Sequence, residues 1–316
     1  MSNGTLQHSY RMALSVVERS LRDDSRPLGF LLGAGTSSSV RPGGVPLIPA
    51  IAPMTDGIRT ELGSKNSTLR VLDSMLIQDG VTVPTLEDWL SRLRALKEIV
   101  GADSVRGMSA DDISSLEARI VSAVTKQVAV DLPPDGGGFD AISRWAGAFD
   151  RKHPLEIFTL NYDLLVEQSF ERHRVAYFDG FLGAHRPFLD VRTMEDDALP
   201  SRWARLWKMH GSVNWTMEDG NVFRTSGRNA SEYTGNLIHP SHLKYDQSRK
   251  MPYLAMQDRL RAFLKEPGAL LLSTGYSFGD QHINQLIVEG LSGNPSAAVF
   301  AFGQVPGSGV ARCPLI

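Results

Sequence analysis

Cysteine is almost absent from this chain of 316 residues. The single cysteine, Cys313, excludes an internal disulfide and a zinc site built from clustered cysteines. An excess of charge of one sign is also missing, because 33 basic residues stand against 35 acidic ones. The sequence therefore gives no electrostatic reason to expect nucleic acid or an anionic membrane as the main partner.

Long apolar runs are missing too. No stretch approaches the roughly 18 apolar residues of a membrane span, and Met1 to His8 lacks the basic start and apolar run of a secretory signal. We therefore expect a cytoplasmic protein. No His-Glu-x-x-His motif occurs, and the acidic run Glu195 to Asp197 is interpreted as a solvated turn, so no metal site is predicted. The absence of Gly-x-Ser-x-Gly argues against a serine hydrolase.

Short apolar runs alternate with helical patterns along the rest of the chain. Runs without internal alternation are typical of strands covered on both faces, and they occur at Leu28–Leu32, Leu155–Leu160, Ala269–Ser273 and Ala297–Phe302. Apolar residues spaced three and four apart predict helices between these strands. This alternation predicts an α/β fold with a mainly parallel sheet flanked by helices.

Two stretches depart from that alternation. From about Leu62 to Gly138 helical patterns dominate, so residues 62–138 are interpreted as a helical insertion within a domain that spans 1–316. Ser109 and Asp112 there predict a capping box. The polar stretch from Glu195 to Asn236 is interpreted as loops and irregular hairpins. Because the chain stops soon after the last predicted strand, we expect that a further C-terminal domain is missing.

Three polar loops each follow a predicted strand directly. They are Gly33–Ser39, Asn161–Asp163 and Gly275–Asp280. In open parallel sheets, ligands bind outside the carboxyl ends of the strands. The three loops therefore predict one shared ligand crevice.

The first loop has the character of a phosphate cradle. Gly33 and Gly35 allow close approach of the backbone to a ligand, and the amides and hydroxyls that follow can donate to phosphate oxygens. Neither a full G-x-G-x-x-G nor a Walker loop is present. A simple glycine-rich turn between strand and helix remains open.

The second loop offers two polar side chains. Asp163 can cap the helix that starts near Leu164, and Asn161 can serve the turn. Alternatively, the Asn161 amide can hold a sugar hydroxyl or a water molecule at a reacting carbon.

His210 lies between an apolar segment and a Gly-Ser turn, flanked by Trp207 and Trp215. A structural role is open, and so is that of a base in a partly dry cleft, since imidazole takes up a proton near neutral pH. His282 is interpreted as capping or orienting the helix after the third loop.

Five short motifs together resemble the sirtuin (SIR2) superfamily, in particular the SIR2-like NADase domains of bacterial antiphage defence proteins. They run in the same order as in that superfamily, across most of the chain. The motifs are Gly33-Ala-Gly-Thr-Ser37, Gly44-Val-Pro46, Thr159-Leu-Asn-Tyr-Asp163, Lys208-Met-His-Gly-Ser212 and Gly275-Tyr-Ser277.

The resemblance implies a Rossmann-like fold and a role for each matching residue. Asn161 and His210 would be catalytic, His210 as the base, and Asp163 would lie at the nicotinamide riboside. Gly275 and Ser277 would line the adenosine side. The NAD+ pyrophosphate would be held by the first loop, with the cofactor-binding residues Gly33, Ala34, Gly35, Thr36 and Ser37.

Two departures separate the chain from sirtuin deacetylases. Those enzymes carry an acidic-Phe-Arg element after the Gly-x-Pro turn, where this chain has Leu47–Ala50. They also carry four cysteines on a zinc ribbon that helps form the acyl-peptide groove, whereas this chain has one cysteine. Both departures favour an NAD+ hydrolase without a zinc ribbon and without any metal.

The resemblance also implies regulation, because uncontrolled NAD+ hydrolysis would kill the host. It implies a homo-oligomer that depletes NAD+ in antiphage defence once triggered, with a partner such as an ATPase, an Argonaute-type protein or a separate sensor. Two other classes stay open. One is an NAD-dependent protein deacylase or ADP-ribosyltransferase, and the other is a binding module that senses NAD+ or ADP-ribose without turnover.

Overall fold

The computed structural model describes residues 10–63, 67–101, 103–148, 150–195, 199–225, 252–304 and 311–312. Several residues named in the sequence analysis lie outside these ranges, among them Met1 to His8, Asp197, Asn236 and Cys313. The described strands are β1 (Leu28–Leu32), β2 (Leu155–Thr159), β3 (Tyr177–Phe178), β4 (Phe181–Leu182), β5 (Phe188–Leu189), β6 (Ala204–Lys208), β7 (Trp215–Glu218), β8 (Asn221–Arg224), β9 (Leu270–Thr274), β10 (Ala298–Gln304) and β11 (Ala311–Arg312).

The central sheet has the strand order β11-β10-β9-β1-β2-β6-β3. Six neighbouring strands, from β10 to β3, run parallel, and β11 is antiparallel to β10. Strand β1 lies at the centre, because Leu28 pairs with Leu155 of β2 on one side and with Leu270 of β9 on the other. The predicted α/β fold with a mainly parallel sheet is confirmed, and the architecture is Rossmann-like.

The described helices lie on both faces of this sheet and in a separate group. They are α1 (Tyr10–Arg22), α2 (Ala34–Ser38), α3 (Ile51–Leu62), α4 (Ser67–Gln78), α5 (Leu86–Ile99), α6 (Ala110–Val128), α7 (Gly137–Ala148), α8 (Leu165–Arg172), α9 (Val191–Glu195), α10 (Tyr253–Lys265) and α11 (Gln281–Gly293), with a short 3-10 turn at Pro42–Gly44. Within these ranges no helix is long and apolar enough to cross a membrane.

The strands bury alternate side chains on the two faces of the sheet, as the pleat requires. Ile157 of β2 and Leu206 of β6 lie in the same core as α3 to α6. Phe158 and Trp207, one position further along each strand, lie in the opposite core with α10 and α11. Apolar residues on both faces explain why these strands show continuous apolar runs rather than alternation.

Four helices, α3 to α6, form a group between β1 and β2 in sequence. Their apolar stripes are buried, and α6 contacts α3, α4 and α5. The predicted capping box at the start of α6 is present: Asp112 N donates to Ser109 Oγ at 3.1 Å, and Ser109 N donates to Asp112 Oδ2 at 3.0 Å. Helical structure begins at Ile51, earlier than the predicted boundary at Leu62. The group shares one hydrophobic core with the sheet.

The prediction that Glu195 to Asn236 consists of loops and hairpins is wrong in one respect. Strand β6 falls inside this stretch, and it pairs with β2 and β3 in the parallel sheet. Its pattern is hidden because two of its five buried residues, Arg205 and Lys208, are charged. The hairpin expectation holds for β7 and β8, which form a four-stranded antiparallel sheet with β4 and β5.

Candidate active site

The loops after β1 and β9 pack directly against each other. Gly35 N donates to Gly275 O at 2.9 Å, and Gly33 N donates to Thr274 O at 3.0 Å. A Cβ on Gly33 would overlap the backbone of Gly275 and Tyr276, and one on Gly35 would lie 2.8 Å from Gly275 Cα. These glycines are therefore required by the contact between the two loops.

Most donors of the predicted phosphate cradle are directed into the protein. Besides the two glycine amides, Thr36 N donates to Gly33 O, and Thr36 Oγ1 donates to Thr274 O at 2.9 Å. The Ser37 hydroxyl donates to Asp163. Ala34 and Ser37 are the members of this loop that line the cavity described below.

Asn161 follows β2 and is bonded to the loop after β1. Its side-chain amide nitrogen donates to Gly33 O at 3.1 Å and to Ser37 Oγ at 2.8 Å. A carbonyl oxygen only accepts, so the atom that faces Gly33 O must be Nδ2. This orientation leaves Oδ1 as the Asn161 atom that can accept a hydrogen bond from a ligand hydroxyl or a water molecule.

Both carboxylate oxygens of Asp163 accept hydrogen bonds from other groups of the protein. Its Oδ1 accepts from Leu165 N at 3.1 Å, in the first turn of α8, and its Oδ2 accepts from Ser37 Oγ at 2.6 Å. The prediction that Asp163 is the N-cap is wrong, because that position is Leu164, but the Asp163 carboxyl still accepts from the first amide of the helix and also ties the first loop to the second. Burial raises the pKa of the Asp163 carboxyl, and the nearby Lys208 ammonium and the Ser37 hydroxyl oppose that rise.

Lys208 is bonded to the second loop and to α8, although the sequence patterns gave it no role. Its side chain is 2% exposed. Its ammonium donates to the carbonyl oxygen of Asp163 and to Glu167 Oε1, the latter at 2.9 Å. The only signal available in the sequence was its position in the Lys208–Ser212 motif.

His210 follows β6 and faces a carboxylate from the third loop. Its Nε2 lies 3.0 Å from Asp280 Oδ2. Asp280 also caps α11, since its Oδ1 accepts from His282 N at 2.9 Å and from Ile283 N at 3.3 Å. The capping role predicted for His282 thus belongs to Asp280, because the carboxylate accepts amide protons at the helix start.

One cavity of about 150 Å³ brings several of these residues together. One wall carries Ala34, Ser37, Asn161, Asp163 and His210, which stand at or just beyond the carboxyl ends of β1, β2 and β6. The cavity lies at strand ends, but only the first two of the three predicted loops line it. Gly275 and Ser277 are not among its lining residues: Gly275 packs against Gly33 and Gly35, and Ser277 is exposed.

The other wall comes from the helical group and from the segment just before α3, and it was not foreseen from the sequence. It is apolar except for Glu87, and its other members are Ile48, Pro49, Ile51, Met54, Leu86, Leu90, Val124 and Val128. Helices α3, α5 and α6 therefore help to form the site. A cavity of this size and lining can hold one six-membered aromatic ring.

The part of the chain that the structure describes contains no group of three or more His, Cys, Asp or Glu side chains arranged to hold a metal ion.

The fold is a Rossmann-like α/β fold, and the site is a cavity at the strand ends with one polar and one mainly apolar wall. Residues 155–309 match the family model of the SIR2-like domain, from the first residue of β2 onward. The match supports the SIR2-like superfamily. SIR2-like domains use NAD+, which indicates an NAD-dependent enzyme. A search of the curated proteins found no match.

Proposed function

We propose that this protein hydrolyses NAD+ at the bond between nicotinamide and ribose. The observation that carries the proposal is one cavity lined by Asn161, His210 and apolar side chains. This cavity is large enough for one aromatic ring. The nicotinamide ring would occupy the apolar side, and the reacting ribose carbon would face the polar side.

In this reaction a water molecule forms a bond to C1 of the ribose. Nicotinamide leaves with the electron pair of the broken carbon–nitrogen bond, and one proton of the water is transferred to the enzyme. Asn161 Oδ1 would hold the water or a ribose hydroxyl, because Nδ2 is bound to Gly33 O and Ser37 Oγ. His210 would accept the proton.

The surroundings of the cavity suit a cationic substrate group. The nicotinamide ring of NAD+ is positively charged, and positive charge moves to the ribose as the bond breaks. Glu87 lines the cavity, and an ionised carboxylate close to a cation is attractive.

The apolar helices favour water rather than a peptide as the acceptor. Ile51 and Met54 of α3 and Leu90 of α5 line the cavity with apolar side chains, which offer no hydrogen bonds to a peptide backbone. A protein deacylase needs an open groove for an extended acyl-peptide at its NAD+ site. We therefore favour hydrolysis over deacylation or ADP-ribosyl transfer.

We further propose that this activity serves antiphage defence through NAD+ depletion and that it is triggered by infection. This part rests on the resemblance of the motifs to defence proteins. It includes a homo-oligomer and a regulatory partner encoded nearby, of the ATPase, Argonaute or sensor type.

The test is release of nicotinamide from NAD+ by the full chain together with the protein encoded beside it. Asn161→Ala and His210→Ala should each lower turnover by roughly 10²- to 10⁴-fold, the usual contribution of acid–base groups. Matched controls are Asn221→Ala and His185→Ala, which change exposed residues outside the cavity lining. Undiminished release by the Asn161 and His210 variants would overturn the assignment.

The same assay separates the other two classes. Nicotinamide release that requires an added acylated peptide would identify a deacylase. Tight binding of ADP-ribose without nicotinamide release from the assembled complex would identify a sensor.

A further inference from the structure

Asp280 makes a direct polar contact with the imidazole ring of His210. The two side chains come from loops that follow different strands, β6 and β9, and they meet at 3.0 Å between Nε2 and Oδ2. Both are largely shielded, with side-chain exposures of 18% for His210 and 9% for Asp280. We propose that Asp280 is a positioning residue, which fixes the ring and tautomer of His210 so that Nδ1 serves as the base. This inference rests on the proposed function.

Asp280 is held too firmly to follow a rotating imidazole. Its second oxygen, Oδ1, accepts the amide protons of His282 and Ile283 at the start of α11. Its own carbonyl oxygen accepts from the Tyr276 hydroxyl at 3.0 Å. The carboxylate that faces His210 is therefore anchored to a helix of 13 residues.

The contact fixes which nitrogen carries the proton in the neutral ring. An ionised carboxylate only accepts hydrogen bonds, so the nitrogen that faces Asp280 Oδ2 must be the donor. Nε2 then carries the hydrogen, and Nδ1 carries the lone pair. Since His210 lines the cavity, Nδ1 is the ring nitrogen left to take a proton from water or from a ribose hydroxyl.

This arrangement makes the outcome of Asp280→Asn specific. The two helix amides require an acceptor, so the carboxamide oxygen of the new side chain should stay on His282 N and Ile283 N. Its NH₂ group would then face His210 Nε2, which must accept, and the proton would move to Nδ1. The helix keeps its cap because Asn is as good an N-cap as Asp, but the base has the wrong tautomer.

Asp280→Ser provides the comparison. Serine also caps helices well, but its short side chain does not reach His210. The imidazole would then be free to adopt either tautomer, so part of the population would keep an unprotonated Nδ1. A residue that only stabilised α11 would tolerate both substitutions equally.

The kinetic test measures nicotinamide release by the full chain with its neighbouring protein. Asp280→Asn should lower kcat by roughly 10²- to 10⁴-fold, the scale of a lost or misdirected base, with little change in KM for NAD+. Asp280→Ser should lower kcat much less than Asp280→Asn does, because part of the population keeps an unprotonated Nδ1. Asp112→Asn is the control, because it removes the acidic member of another helix cap. Asp112 lies in the first turn of α6, whereas the cavity is lined by Val124 and Val128 near the other end of that helix. Equal kcat for wild type and Asp280→Asn would overturn the proposal.

A spectroscopic test does not depend on turnover. In ¹⁵N-histidine spectra, the His210 signals are identified by their loss in His210→Ala. The wild-type neutral ring should be protonated at Nε2, and Asp280→Asn should move the proton to Nδ1. An unchanged tautomer in that variant would overturn the proposal, whether or not the wild type hydrolyses NAD+. Conversely, a tautomer change in a protein that leaves NAD+ intact would uphold the positioning role and reject the proposed function.

Discussion

Ser37 donates its hydroxyl hydrogen to Asp163 Oδ2 at 2.6 Å, and this bond ties the loop after β1 to the loop after β2. The two residues are buried, and the same Ser37 oxygen accepts from Asn161 Nδ2 at 2.8 Å. Three side chains from two loops therefore form one continuous chain of hydrogen bonds. Asp163 lies at the end of this chain, so its ionisation affects the stability of the whole junction.

Because burial raises the pKa of Asp163 above the ordinary 3.8, the folded protein binds a proton that the unfolded chain has released. The contribution of this carboxyl to stability is thus greatest at low pH, and it is lost as pH rises from about 3.8 through the raised pKa. Asp163→Asn does not titrate. We expect the stability of this variant relative to wild type to increase with pH in urea unfolding measured from about pH 4 to pH 8.

Asp112→Asn provides a control in which the stability difference from wild type should change with pH in the opposite direction. Hydrogen bonds from the Ser109 hydroxyl and amide lower the pKa of the exposed Asp112 carboxyl. Its contribution is present above the unfolded pKa and is lost as pH falls through the lowered one. The stability of Asp112→Asn relative to wild type should therefore increase toward low pH. A stability difference for Asp163→Asn that did not change with pH would contradict the first expectation.

Gly275→Ala should destabilise the protein strongly. Gly275 has φ of +64°, and an added Cβ would overlap the amide of Thr36 and the backbone of Gly35. The backbone penalty alone is about 1–2 kcal/mol, and the overlap with backbone atoms adds to it, so we expect a loss above about 3 kcal/mol in the free energy of unfolding.

The matched control is Gly138→Ala in α7. No atom lies within 4 Å of the added Cβ, and Gly138 does not have a positive φ. Alanine should stabilise this helix by about 0.5–1 kcal/mol. Similar midpoints for the two variants in thermal unfolding would show that the two glycine loops leave room for a Cβ at position 275.

Lys208→Met should destabilise the fold because it leaves Glu167 without its cation. The ammonium is bound to Glu167 Oε1 at 2.9 Å, and Glu167 Oε2 is buried without a hydrogen-bond partner. Removing one member of a buried ion pair costs about 3–5 kcal/mol. The double variant Lys208→Met with Glu167→Gln should recover part of this loss in urea unfolding. Strictly additive losses would show that the two side chains are not coupled.

Val124→Phe should fill the apolar side of the cavity. Val124 lies in the lining contributed by α6, and it is almost fully buried. Overpacking of this kind costs about 1–3 kcal/mol, while binding of free nicotinamide, followed by ligand-observed NMR, should weaken at least about tenfold. Ile77→Phe changes a side chain on α4 that is 56% exposed and should leave binding intact. Equal binding by both variants would place the nicotinamide ring elsewhere.

The fold could be predicted where buried strands consist mostly of apolar residues. Most residues of strands β1, β2, β9 and β10 are apolar, none of the four carries a basic residue, and each strand lies within two residues of its predicted position. Strand β6 was missed because Arg205 and Lys208 interrupt its apolar pattern. Arg205 is buried because it donates to the carbonyl oxygens of Leu199 and Trp203, and such partners cannot be seen in a sequence.

The sequence placed candidate site residues after β1, β2, β6 and β9, and those after β9, Gly275 and Ser277, do not line the cavity. Asn161 and His210 share a cavity because both follow neighbouring parallel strands, β2 and β6. The His210–Asp280 contact and the apolar wall could not be predicted. Both depend on how separate loops and helices are oriented across the sheet, and periodicity within one segment carries no information about that.

The position of β1 has a consequence for how the chain folds. Leu28 pairs with Leu155 and with Leu270, so the centre of the sheet joins the first strand to partners far along the chain. Such non-local pairs form slowly, because a long loop must close before any contact is gained. The group α3 to α6 is made of local contacts and lies within the first of these loops. During synthesis, this group can form before β2 has been made, whereas β1 must wait for β9 before both of its edges are covered.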